Sequence, residues 1–180
     1  MNLLISCIQK MNYAGGVIRS IPIQYLTFGL FASMLIQGIQ WKIFFIGLCI
    51  VIILANITKK LFSYVNKPWA KRPKSAGAKG GGCLEFRNCN ADVSKTESQP
   101  GMYSSHTSSA FYVFSFILIY LITRSNRSLV EFWLPCIVVS LMTILVPIER
   151  LSTKCHSLPQ VISGSIVGTL GGIVAAALAQ

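Results

Sequence analysis

Apolar positions along the chain gather into five long runs: Ile21 to Ile39, Trp41 to Ile57, Ser108 to Thr123, Phe132 to Ile148 and Val161 to Leu178. Each is close to the roughly 20 residues that a helix needs to cross the hydrocarbon layer. The pattern predicts an all-α fold, a multi-pass transmembrane helical bundle of about five crossings. In the last run Gly164 and Gly168 stand at GxxxG spacing and Gly171 and Gly172 continue the small face, so close helix packing is expected there.

The polar positions between the runs set the organisation. Residues 1–20 hold a short apolar start, then Lys10, Gly15-Gly16 and Arg19. They lack the basic n-region and cleavage site of a signal peptide and read as an interfacial or half-inserted segment before a membrane-embedded domain at 21–180. Gln40 and the Trp41-Lys42 pair read as a tight turn at an interface, where Trp and a snorkelling Lys are at home. Thr58 to Thr107 is a long polar loop with nine Lys or Arg against Glu85, Asp92 and Glu97, a net +6. Its Gly-rich middle reads as a linker and is not a P-loop, because no Gly-Lys-Ser/Thr follows at the required spacing. Glu149 to Gln160 is a short polar connection. Only the third and fourth runs separate the long loop from this connection, so both fall on one membrane face. The chain's two histidines, His106 and His156, then share that face.

Composition supports an integral membrane protein of one domain. Hydrophobic residues make up 53% and charged residues 12%, against about 45–50% and about 25% in soluble domains. The net charge of +11 lies largely in one loop between apolar runs. That favours lipid headgroups or a phosphorylated substrate over nucleic acid. Six cysteines are scattered without a Cys-x-x-Cys pair, which argues against a zinc site. Cys83 and Cys89 share the long loop and are a candidate disulfide in an oxidising lumen. The positive-inside rule would place the cation-rich face in the cytoplasm, but that rule weakens where the cations are substrate ligands.

The chemistry points to phosphoryl transfer, which requires cations and donors for the non-bridging oxygens, a nucleophile in line, and an acid for the leaving oxygen. Arg72, Arg150 and one or more lysines suit the first task, Arg through bidentate contact. Ser104 and Ser105 bring hydroxyls beside free helix N–H groups. His106 and His156 divide the nucleophile and acid roles. The five acids are dispersed, so no metal and no cofactor is expected.

These residues carry a family resemblance. Arg150, five residues, His156, three residues and Gln160 give R-x5-H-x3-Q; Gly101 to His106 reads G-M-Y-S-S-H; and Lys71-Arg72-Pro73 supplies an R-P step. Over about residues 56–165 the pattern resembles the phosphatidic acid phosphatase type 2 (lipid phosphate phosphatase) superfamily, with motifs K-x6-R-P, P-S-G-H and S-R-x5-H-x3-D. It is most similar to the dolichyl diphosphatase branch, which has G-M-P-S-S-H and a closing Gln. The motif-one lysine falls on Lys60 or Lys67. The resemblance implies His156 as the nucleophile of a phosphohistidine intermediate and His106 as the general acid. It also implies Arg72, Ser104, Ser105 and Arg150 as phosphate ligands and Gln160 as the group that orients the nucleophile. The departures are Tyr103 for Pro, Ser105 for Gly, Glu149 for Ser and Gln160 for Asp. The expected function is metal-independent hydrolysis of a lipid phosphate or a polyprenyl (dolichyl-type) diphosphate. The alternatives are a phosphatidate or other lipid monophosphate phosphatase, and a catalytically silent lipid-phosphate-binding membrane protein. The expected partners are that substrate and membrane lipid, and the expected location is the endoplasmic reticulum membrane with a luminal site.

Overall fold

The computed structural model describes residues 38–65, 69–72, 101–123, 129–152 and 154–180. The N-terminal segment, the first expected crossing up to residue 37, Lys67, Cys83 and Cys89 lie outside them. Four helices follow one another: α1 (Ile39–Phe62), α2 (Ser105–Ile122), α3 (Leu129–Ser152) and α4 (Leu158–Leu178). Three helices among the described residues, α1, α2 and α4, are long and apolar enough to cross a membrane. The expected count of five crossings is therefore not supported. The expected fourth run falls within α3, whose last turns carry buried Glu149 and Arg150.

The helices also outrun the apolar stretches that announced them. Gln40, Trp41 and Lys42 lie in the first turns of α1 rather than in an interfacial turn. At its other end Lys59 and Lys60 continue the helix, in the last turn where cations oppose the negative end of the helix dipole. Ser104 starts α2 by accepting from the Thr107 N–H, and the sequence Ser157-Leu158-Pro159-Gln160 starts α4 with Pro in the first turn.

Helix α2 is the centre of the bundle and packs on α1, α3 and α4. It is also the spanning helix with the lowest hydropathy, and its central place follows from how its hydroxyls are satisfied. Ser108 and Ser109 donate back to the Ser105 carbonyl at 3.0 and 2.9 Å, so small polar side chains are buried without orphaned donors. Below them Tyr112 and Phe116 meet Phe44 of α1 at ring-centroid distances of 5.7 and 4.9 Å. The outer helices turn their large aliphatic side chains away from this core. Ile46, Ile50, Ile53 and Ile57 on α1 and Ile162, Ile166, Leu170 and Ile173 on α4 are exposed, a surface that suits lipid rather than water.

The tightest packing is between α2 and α4. A Cβ on Gly164 would lie 2.6 Å from the Ser104 carbonyl oxygen, and one on Gly172 would lie 2.5 Å from that of Tyr112. One on Gly168, between them, would run into the Ser108 carbonyl. Every fourth residue of α4 is thus a glycine facing every fourth carbonyl of α2, and the two backbones touch along this line.

Candidate active site

Three pieces of chain, far apart in sequence, meet at one end of the α2–α4 seam. The first is the start of α2, where Ser104 Oγ accepts from the Thr107 N–H at 3.4 Å and from the Thr107 hydroxyl at 3.0 Å. His106 is buried in the next turn. The second is residues 69–72, joined to the first by a Gly101 N–H to Ala70 carbonyl bond of 2.8 Å. The third is the turn between α3 and α4, which carries Arg150 and His156. There the His156 N–H donates to the Arg150 carbonyl at 3.2 Å, and Lys154 takes a left-handed backbone at φ 55.

Gln160 joins all three. Its Nε2 donates to the carbonyls of Trp69 at 2.9 Å and Lys71 at 2.7 Å. Those two acceptors fix the amide, because an amide oxygen facing two carbonyls would be repelled. The amide oxygen Oε1 is thereby turned the other way, accepting from the Ser157 N–H at 3.1 Å and lying 3.2 Å from His156 Nδ1. The Gly101 carbonyl lies 3.0 Å from the same Nδ1. Two acceptors around Nδ1 require a proton on it, so His156 Nδ1–H donates to both and Nε2 holds the lone pair. Gly101 is glycine for room, since a Cβ there would lie 2.6 Å from both amide atoms of Gln160. The backbone of Gln160 serves too, its carbonyl accepting from the Ser104 N–H at 3.1 Å.

Cations close the site. Arg72 is buried; its Nη1 donates to the Cys155 carbonyl at 3.2 Å, while its Nε has no hydrogen-bond partner among the described residues. An unsatisfied buried guanidinium nitrogen is expected where a ligand anion completes the site. Burial, with the neighbouring Arg150 charge, pushes Arg72 down to about 10, so it stays charged at neutral pH. Arg150 is 1% exposed and its Nε lies 2.7 Å from Glu149 Oε2. Lys59, from the last turn of α1, donates to Ser105 Oγ at 3.0 Å. His156 is held well below the usual imidazole range, first by burial and then by the charges of Arg72, Lys59, Arg150 and His106. Those groups surround a neutral imidazole.

Of the residues singled out from sequence, Arg72, Ser104, Ser105, His106, Arg150, His156 and Gln160 come together here. Lys60 is exposed on the outer side of α1, and Lys67 lies outside the described residues. Among the described residues the lysine that reaches the site is Lys59. Its signal was present in the helix period: Val51 and Ala55 are buried on the inward face of α1, and Lys59 is the next residue four along. Tyr103, in the place of the motif's proline, is buried and donates to the Val51 carbonyl at 3.3 Å, joining the start of α2 to that face of α1. Cys155, beside His156, is in a disulfide. Cys49 and Cys136 are free thiols. Among the described residues no cluster of three or more His, Cys, Asp or Glu offers a metal site.

A helical bundle with apolar outer faces thus carries at one end a buried histidine, His156, among Lys59, Arg72 and Arg150. The chain belongs to the PAP2 superfamily, whose family model matches residues 40–180. Members of that family are phosphatases acting on phosphate esters, generally on lipid phosphates. No curated protein and no solved structure matches the chain.

Proposed function

We propose that this protein hydrolyses a lipid phosphate or a polyprenyl diphosphate at the membrane surface through a phosphohistidine on His156, without a metal. The observation that carries the reading is the state of His156. Its Nδ1 proton is shared between the Gly101 and Gln160 oxygens, and burial, with the charges of Arg72, Lys59, Arg150 and His106, keeps it neutral, so Nε2 is a nucleophile at neutral pH. In the first step Nε2 attacks phosphorus and the bond to the leaving oxygen breaks, that oxygen taking a proton from His106. In the second, water gives its proton to His106 and attacks the phosphoryl group. The phosphorus–nitrogen bond breaks, inorganic phosphate is formed and His156 is restored. Arg72, Arg150, Lys59, Ser104 and the Ser105 backbone hold the non-bridging oxygens, with Lys59 in the role expected of Lys60 or Lys67. Gln160 fixes the tautomer, as the aspartate of the resembled motif would, but without a charge to stabilise an imidazolium.

A polyprenyl diphosphate is the first substrate, on the resemblance of residues 101–106 and Gln160 to the dolichyl diphosphatase branch; phosphatidate is the second. The Cys155 disulfide supports an oxidising compartment for this face, as in the lumen of the endoplasmic reticulum. The charge bias against that orientation includes Lys59, Arg72 and Arg150, which here serve the site. The test is phosphate release from purified protein in detergent with EDTA, using dolichyl diphosphate, a prenyl monophosphate and phosphatidate, with His156→Ala as control. Release that EDTA leaves intact and the variant lacks is expected. Turnover by His156→Ala, or loss of wild-type turnover on chelation, overturns the mechanism.

A further inference from the structure

Glu149 is a buried acid, and it stands where the resembled motif has a neutral serine. It is 7% exposed, next to an arginine that is 1% exposed, with its Oε2 2.7 Å from Arg150 Nε. Arg150 acts electrostatically on both Arg72 and His156, so it lies within the cation cluster. A carboxylate attached to one edge of that guanidinium offsets part of its charge before any anion arrives. It also repels a phosphate that draws on the same guanidinium.

We propose that Glu149 weakens the site's hold on inorganic phosphate, the product, and so sets how readily the emptied site is freed for the next lipid. The proposal rests on the phosphohistidine reading above, in which phosphate is left among Lys59, Arg72 and Arg150 after hydrolysis. Three cations, two of them buried, would retain a dianion if they had no counter-charge; one internal carboxylate reduces that retention while leaving each donor in place. The sign of the effect separates this role from a structural one. If Glu149 merely anchored Arg150, removing its charge would loosen the arginine and weaken phosphate binding. If it offsets the charge, removal tightens binding.

The experiment is calorimetric binding of inorganic phosphate and of orthovanadate to the full-length protein in detergent, with product-inhibition constants measured beside it. Glu149→Gln keeps the side-chain shape, Glu149→Ser is a second neutral variant should the first not fold, and Glu149→Asp restores the charge. A Kd for phosphate lower by about tenfold in the neutral variants is expected, as for removal of a charge several ångström away at intermediate dielectric, with the inhibition constant falling in step and Glu149→Asp near wild type. Unchanged or weaker phosphate binding in the neutral variants overturns this proposal alone. Absence of phosphate binding by the wild type, or binding that Arg72→Ala leaves intact, overturns the phosphate reading and this proposal together.

Discussion

A single methyl group on Gly164 should disable the site without touching a catalytic side chain. The added Cβ would sit 2.6 Å from the Ser104 carbonyl oxygen, where ordinary contact begins at 3.4 Å, and the obstacle is backbone that has no rotamer to move. The α2–α4 seam must therefore open by the difference, about 0.8 Å, beside the residue that caps α2. The Ser104 N–H to Gln160 carbonyl bond, 3.1 Å in the native packing, would then pass the limit of a hydrogen bond. Overpacking of this kind costs about 1–3 kcal/mol of stability. The larger effect is on the geometry between Ser104 and His106 on one helix and His156 and Gln160 on the other, since a misplacement of about 1 Å at a reacting centre can cost about 100-fold in rate. Gly164→Ala should thus lose between one and two orders of magnitude in kcat/KM, read as phosphate release in detergent at a temperature where circular dichroism shows the protein folded. Gly171→Ala is the control, because a Cβ there meets only side-chain atoms of Val51, at 3.0 Å, and Tyr112. Wild-type turnover in Gly164→Ala, or an equal loss in Gly171→Ala, would refute the reasoning.

Replacing Gln160 by Glu keeps the length but sets a carboxylate against the Trp69 and Lys71 carbonyls, leaving two part-buried acceptors without their donor, at up to about 1–3 kcal/mol each; a lowered Tm with at least tenfold lower turnover is expected, and a variant as stable as wild type would contradict the fixed amide. Lys59→Ala should raise KM at least tenfold in phosphate-release kinetics while Lys60→Ala stays within twofold, consistent with the energy of a charge-assisted contact to phosphate; the reverse order would return the role to Lys60. Burial and the neighbouring cations hold His156 well below the usual imidazole range, so its folded form stays neutral while the unfolded chain takes up a proton below about pH 6.5. Stability from this group is fully present above that pH and is lost as pH falls from there through the folded pKa. Nitrogen-15 NMR should show the Nδ1–H tautomer unchanged from pH 8 to 6, and an imidazolium signal at pH 6 would refute it.

The apolar runs located all four described helices, because a membrane segment must satisfy its backbone within itself and so announces itself by length. Their ends were less legible, since polar residues such as Lys42, Lys59 and Arg150 continue a helix as readily as they end one. Lys59 does not stand at the K-x6-R spacing to Arg72, so only the helix period points to it. The Ser157-x-x-Gln160 capping pattern was open to view, but the two carbonyls that fix the other end of that amide lie 91 and 89 residues away, and no local rule reaches so far. Nor does any count of cysteines assign a partner to Cys155.

The span of those Gln160 bonds bears on how the protein comes into being. Synthesis delivers Lys59, Arg72, Ser104 and Arg150 before His156, and the imidazole gains its orientation only when α4 has docked and the amide has found Trp69 and Lys71. A chain halted before that point, or inserted with α4 on the wrong side, carries the motif residues but leaves the His156 imidazole undirected. On the phosphohistidine reading, catalytic competence thus waits on the docking of α4.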